Sequence, residues 1–130
     1  MSLQFETSLR NAVLDAIESD VGTAPVLEVR TGAAPGVGAA ASGTLLASIT
    51  CPSDWMAAAS SGSKAKSGTW QDASADASGT PGHFRLKTSG GTAKIEGSAG
   101  VGSGDLSFDT TISLGGTVTI STFTLSAGNS

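Results

Sequence analysis

Tyrosine is absent from this 130-residue chain, and histidine and cysteine occur once each, as His83 and Cys51. Only 14% of the residues are charged. One cysteine cannot pair within the chain, so no internal disulfide framework is possible. A Cys/His zinc site needs several such ligands, and two candidates do not supply them. Seven Lys and Arg against eleven Asp and Glu leave a formal charge of -4. That balance excludes a surface built to neutralise nucleic-acid phosphates. No window approaches 18 consecutive apolar residues, so no membrane-spanning helix is expected. The opening residues Met1 to Glu6 show neither a basic region nor an apolar run, so export by a cleaved leader is not expected. The single cysteine fits a reducing compartment, and the chain is expected to be made in a cytoplasm.

What the chain has in abundance is small side chains. Ala, Gly, Ser and Thr supply 72 of the 130 residues. Each buried small residue removes little apolar area from water, at about 25 cal/mol per Å². The core is therefore expected to be thin, with further burial contributed by partner subunits. Length and composition fit one domain over residues 1–130.

Residues 3–21 carry the one clear helical signal. Leu9, Val13, Leu14 and Ile17 recur at helical spacing, with Phe5 one turn earlier. Ser2 is a candidate N-cap and Gly22 a natural terminator. Glu18 and Asp20 near the C-terminal end oppose the helix dipole, so packing must hold the last turn. The stripe can cover a sheet or dock on a neighbouring subunit.

The rest reads as short strands between glycine turns. Val26 to Arg30 alternates, with Leu27 and Val29 on one face and Glu28 and Arg30 on the other. Thr44 to Thr50 returns to strand and ends at Cys51-Pro52. The Gly/Ala/Ser-rich stretches 31–43 and 56–68 read as extended arms, disordered in the free protein and ordered in an assembly. Trp55 to Ala59 fits a strand or a short helix, and Thr69 to Gln71 a brief strand. His83, Arg85 and Lys87 alternate with Phe84 and Leu86, which places the three polar residues on an outer face. Ser89-Gly90-Gly91 predicts a hairpin, and Gly97 to Gly104 a loop. Thr111–Leu114 and Thr117–Leu125 flank Gly115-Gly116, which predicts a second hairpin. Val118 and Ile120 are at even positions, Phe123 and Leu125 at odd ones. That change of parity predicts a bend near Ser121-Thr122, through which one long strand serves two sheets. The fold class is mainly β, an antiparallel β-sandwich or jelly-roll-like domain over 26–125 with one N-terminal amphipathic helix.

Catalytic and ligand motifs are not in evidence. His83 is the one side chain with the unperturbed pKa of a neutral-pH general base, yet alternation exposes it on a strand without a partner. Cys51 as a nucleophile needs a base within reach, and nothing in the sequence brings His83 to it. Asp105-x-Ser107-x-Asp109 hints at calcium, but an EF-hand needs glycine at position six and glutamate at position twelve; Thr110 and Gly116 stand there. Alternation instead puts Asp105, Ser107 and Asp109 on the outside of a strand. The glycine-rich runs 32–43 and 100–104 lack the Gly-Lys-Ser/Thr of a phosphate loop. No cofactor, metal or catalytic residue is assigned, and the chain is not expected to be an enzyme. Trp55 and Trp70 fit core or interface anchors, or a sugar-stacking platform.

Several runs carry a resemblance. They are Pro81-Gly82-His83-Phe84-Arg85-Leu86-Lys87-Thr88-Ser89-Gly90-Gly91, Ile95-Glu96-Gly97, Asp105-Leu106-Ser107-Phe108-Asp109, the Gly115-Gly116 turn and Ser121-Thr122-Phe123-Thr124-Leu125. Leu9-Arg10-Asn11-Ala12, Arg30-Thr31-Gly32 and Leu45-Leu46-Ala47 belong to the same pattern, which matches least over 55–81. Together they resemble a family of small tailed-bacteriophage virion structural proteins. The resemblance implies a non-enzymatic role in the particle, foremost as a head cement or decoration protein on the capsid surface, with a neck or tail position as the alternative. Its implied partners are the major capsid protein and further copies of itself, with no nucleic acid and no membrane. Phe5, Leu9, Val13, Leu14, Ile17, Trp55, Met56 and Trp70 are the candidate partner-interface residues. A carbohydrate-binding module is the competing reading, resting on the two tryptophans, and a small hydrolase built on His83 is a third.

Overall fold

The computed structural model describes residues 3–127. One helix, α1 (Thr7–Val21), precedes nine strands: β1 (Val26–Arg30), β2 (Leu45–Thr50), β3 (Ser63–Ala65), β4 (Trp70–Asp72), β5 (His83–Lys87), β6 (Ala93–Val101), β7 (Leu106–Phe108), β8 (Val118–Ile120) and β9 (Thr124–Ser126). The fold is mainly β, sandwich-like and largely antiparallel, with a single N-terminal helix among the described residues.

The helix begins later than its periodicity predicts. Glu6 is extended and its carboxylate accepts the Ser8 N–H at 2.8 Å, so it caps the first turn. Ser2 lies outside the described residues. At the other end the Gly22 N–H donates to the Glu18 carbonyl.

The main sheet runs β2-β1-β5-β6-β7. β1 lies antiparallel to both β2 and β5, with Leu27 opposite Ile49 and Leu86. The β5–β6 hairpin closes at 88–92, where the Thr88 N–H donates to Thr92 and the Gly91 N–H to Thr88. β6 continues to Val101, through part of the stretch expected to be a loop. β7 then folds back parallel to β6, Ala99 beside Leu106, across only residues 102–105. Gly104 makes that reversal possible. Its φ is +90° and an added Cβ would lie 3.0 Å from the Ala99 backbone.

Two ribbons, β3–β9 and β4–β8, complete the other layer. β4 follows on from β2: the Ser48 N–H donates to the Asp72 carboxylate and the Asp76 N–H to the Leu46 carbonyl. The parity change at 121–122 is a real bend. β8 pairs with β4 before it and β9 with β3 after it. The expected hairpin around Gly115-Gly116 does not form. Ile112 bridges Gly79 instead, while the turn itself is held by the Gly116 N–H on Ser113 and the Gly115 N–H on Ala75.

The core is organised by aromatic rings. Trp55, Trp70, Phe123 and Phe84 form a chain with centroid separations of 5.9, 5.1 and 5.7 Å, the last pair edge-on. Phe84 stands on β5 and Trp70 on β4, so this chain joins the two layers. Leu27, Val29, Leu46, Ile49 and Leu86 fill the space around it.

The stretch 56–68 is not an extended arm. It folds into the domain through β3, the Met56–Lys66 bridge and the Ser60–Ser63 turn, with Met56 and Lys64 buried. The stretch 31–43 is irregular and mostly exposed but anchored. Thr31 and Thr44 bond each other at its base, and the Gly36 N–H donates to the Glu96 carboxylate at 2.8 Å.

Candidate functional site

The polar groups that sequence alternation placed outside are mostly sealed inside. His83 has no exposed surface and Arg85 is buried. The cause is the 31–43 segment lying across this face of the sheet. The Arg85 guanidinium donates to Glu96 at 2.8 and 3.1 Å and to the Gly36 carbonyl at 3.0 Å. Burial pushes the Glu96 carboxyl up, but Arg85 and the Gly36 N–H outweigh it and hold the group below the ordinary carboxylate range. Glu28 is likewise buried, between Arg30 and Lys87 at 3.1 Å each. His83 Nδ1 lies 3.0 Å from the Gly32 carbonyl, which can only accept, so Nδ1 carries the hydrogen. Nε2 is buried without a hydrogen-bond partner among the described residues. Gly82 must be glycine for this packing, because a Cβ would stand 2.3 Å from the Gly32 oxygen. His83 therefore has no route to a substrate.

Cys51 is buried as well, and that burial pushes its thiol up to about 12 despite the nearby Lys66 charge. A thiol so placed is a small apolar core residue. Asp105 and Asp109 are exposed, and no group of three or more metal-ligating side chains gathers among the described residues. Asp105 instead accepts from the backbone and hydroxyl of Ser98.

The predicted interface residues separate into two sets. Trp55, Trp70 and Met56 are core, at 0%, 0% and 2% exposure. They fill the space between the layers and present no ring to a partner or a sugar. The Trp55 Nε1–H donates to the Gly22 carbonyl and the Trp70 Nε1–H to the Ser67 carbonyl. Leu14 is buried too. By contrast, Leu9 and Val13 are 51% and 50% exposed. Phe5 is at the surface and Ile17 is half-buried against the core.

This division follows from how α1 is fastened. The side that faces the domain carries Leu14, Ile17 and Val21 together with the polar Arg10, Asn11, Asp15 and Glu18. Arg10 donates to the Ala127 and Ser61 carbonyls, Asn11 accepts the Gly62 N–H, and Asp15 accepts the Ala59 N–H. Lys64, almost completely buried, reaches Asp15 and Glu18 at 2.7 Å each and the Ala57 carbonyl at 2.8 Å. Lys64 holds the Asp15 carboxyl below its ordinary range, and both carboxylates keep the lysine charged against the pull of burial. With that side occupied, the stripe of Leu9, Ala12, Val13 and Ala16 points away from the domain. Beside it lies a shallow cavity of about 350 Å³ lined by Val13, Ala16, Ile17, Val21 and Ile95. Lys94 and Asp20, 2.8 Å apart, close one end.

No sequence motif identifies this surface. The signal that could have found it was the polar side of the helix, where Arg10, Asn11, Asp15 and Glu18 recur at three- and four-residue spacing and match the donors and acceptors of 57–64. Two further clefts, of about 320 and 280 Å³, lie between β7 and β8 and are lined mainly by Ser, Thr and Asp109. They bring together no acid–base or nucleophile–base pair.

The chain matches no family model, no curated protein and no solved structure.

Proposed function

We propose that the chain is a non-enzymatic structural protein of a tailed-phage particle, a cement protein that binds the assembled head and bridges neighbouring capsid subunits. The observation that carries this reading is the outward-facing apolar stripe of α1. A helix held to the domain through Leu14, Val21 and its polar contacts leaves Leu9 and Val13 half-exposed on one outward stripe with Ala12 and Ala16, a surface that a protein partner would cover. The resemblance of the strand and turn residues to virion proteins supplies the class of assembly. The sealed state of His83, Cys51 and Arg85 agrees with a part that binds and does not turn over substrate. The exposed segment 38–43 offers small side chains to a flat partner surface.

Mechanistically, a protein that binds the shell and not the free subunit stabilises the shell by linkage. Many copies on a lattice turn weak contacts into avidity. The test is cosedimentation of the purified protein with DNA-filled heads and with unassembled capsid protein. Saturable binding to heads at a fixed ratio per capsid subunit, with none to free subunits, is expected. Absence of head binding would overturn the cement role and leave a neck or tail position to be tested in the same way.

A further inference from the structure

We infer that residues 32–43 form a latch over the main sheet that acid releases, with His83 as the group that senses pH. The inference stands apart from the assembly reading above. The latch is tied down at Gly32 and Gly36, through its backbone, to side chains of the sheet. His83 Nδ1–H donates to the Gly32 carbonyl at 3.0 Å, and the Arg85 guanidinium donates to the Gly36 carbonyl at 3.0 Å. The Gly36 N–H donates to the Glu96 carboxylate at 2.8 Å. Residues 32–43 contain no charged or titratable side chain. The effect of pH on the latch therefore acts through the face beneath it.

That face holds a neutral imidazole and has no place for a charged one. Nδ1 uses its hydrogen on Gly32, and Nε2 is buried without a hydrogen-bond partner among the described residues. A proton added at Nε2 makes a second N–H with no acceptor and a charge with no water. The neighbouring charges do not accommodate it. Arg30 stands opposite His83 on β1, and Arg85 is two positions along β5; both are cations. Glu96 on β6 is close enough to feel a charge on His83, but its Oε1 accepts from Gly36 and its Oε2 from Arg85. Ser98, opposite His83 on β6, is tied to Asp105. Further along the face Glu28 pairs with Arg30 and Lys87. Arg30, Arg85 and Lys87 thus already face Glu28 and Glu96, and an imidazolium adds a fourth cation. Lifting the latch breaks the ties at Gly32 and Gly36 but lets water reach the imidazolium and its neighbours. The open form therefore takes the proton more readily, and falling pH favours it. Glu28 and Glu96 are held below the ordinary carboxylate range, so both stay ionised while the histidine titrates. Opening turns a sealed sheet face into an accessible charged one.

Amide exchange of the purified full chain tests the inference, read by NMR at pH 7.5 and 5.5, a window in which histidine is the side chain that ordinarily changes charge. Rates are corrected for the intrinsic pH dependence of exchange. The reporters are the Gly36 N–H, bonded to Glu96, and the Ala39 N–H, bonded to the Gly36 carbonyl. Both are expected to exchange at least about tenfold faster at the lower pH, since one linked proton allows up to about tenfold per pH unit. Amides of β1 and β5 should keep their protection. His83→Asn retains an N–H for the Gly32 carbonyl and does not titrate, so its latch should stay closed at both pH values. Should that variant not fold, the wild type decides alone: the His83 ring signals and the Gly36 and Ala39 exchange rates must change with one midpoint. Equal protection at both pH values, opening that persists in His83→Asn, or separate midpoints for ring and latch would overturn the inference. So would loss of protection throughout β1 and β5, which would mark global acid unfolding in place of a local release.

Discussion

Truncation of Trp70 to alanine separates a core residue from a contact residue at a position where sequence reasoning allowed both. Trp70 has no exposed surface and sits between Trp55 and Phe123, with ring centroids 5.9 and 5.1 Å away. A buried aromatic side chain removes roughly 150–250 Å² from water. At about 25 cal/mol per Å² that is on the order of 4–6 kcal/mol, from which the retained Cβ and partial collapse subtract. The expected loss is about 4 kcal/mol, inside the range found for Trp→Ala in cores. A domain of this length has a total stability of roughly 6–20 kcal/mol, so the variant should fold but unfold much earlier. Urea titration followed by far-UV circular dichroism should show the midpoint falling by about 2 M. Trp70→Phe keeps a ring in place and loses the Nε1–H donated to Ser67, for an expected loss of about 1–2 kcal/mol. Head binding, measured on the folded fraction, should be unchanged in both. An alanine variant within about 1 kcal/mol of the wild type that nevertheless fails to bind heads would refute the core assignment and return Trp70 to the interface.

Leu14→Asp places a charge where the helix meets the domain, and Leu14 is 1% exposed. It should abolish cooperative thermal unfolding, while Leu9→Asp, on the outer side of the same helix, should not. The Cys51 thiol should resist Ellman's reagent in the native protein and react fully in denaturant, because burial pushes it up to about 12; rapid native labelling would show that the strand end opens. Burial pushes the Glu28 carboxyl up, yet hydrogen bonds from Arg30 and Lys87 and their charges hold it lower than in the unfolded chain. Its contribution is therefore present above pH 4.5 and fades as pH falls through the depressed folded-state value. Acid unfolding of Glu28→Gln should show a shallower loss of stability below pH 4.5 than the wild type; an unchanged slope would remove Glu28 from the acid response.

Local rules account for a good part of this molecule. Helical periodicity located α1, although Glu6 and not an earlier residue caps it, because the cap depends on which side chain reaches a free N–H. Alternation placed β1 and β5 at their observed bounds and Leu27, Val29, Phe84 and Leu86 in the core. The parity change between Ile120 and Phe123 located the bend that divides β8 from β9, since a strand cannot change its buried face without one. Alternation failed on the opposite face. His83, Arg85 and Glu28 have a strand's polar periodicity, and nothing near them in sequence shows that residues 31–43 will lie over them. Glycine-rich composition likewise suggested a free arm at 56–68, whereas Lys64 and the turn at Ser60–Ser63 fold it against α1.

The composition and periodicity of the chain determined a mainly β domain with one helix, its short strands and turns, and its lack of a disulfide framework or a Cys/His metal site. Those properties depend on residue counts and on neighbours within a few positions. The orientation of the helix was decided in three dimensions. Leu9, Val13 and Leu14 all read as apolar helix positions, but Leu9 and Leu14 stand roughly 140° apart around the axis; the packing of Leu14 and Val21, with the ion pairs and hydrogen bonds of Arg10, Asn11, Asp15 and Glu18 to residues 57–64 and 127, decides that the Leu14 side turns inward and Leu9 and Val13 stay outside. Those partners lie roughly 40 to 120 residues away along the chain, beyond the reach of any local pattern. Whether a tryptophan is core or contact surface is decided in the same way, by which distant strand packs against it.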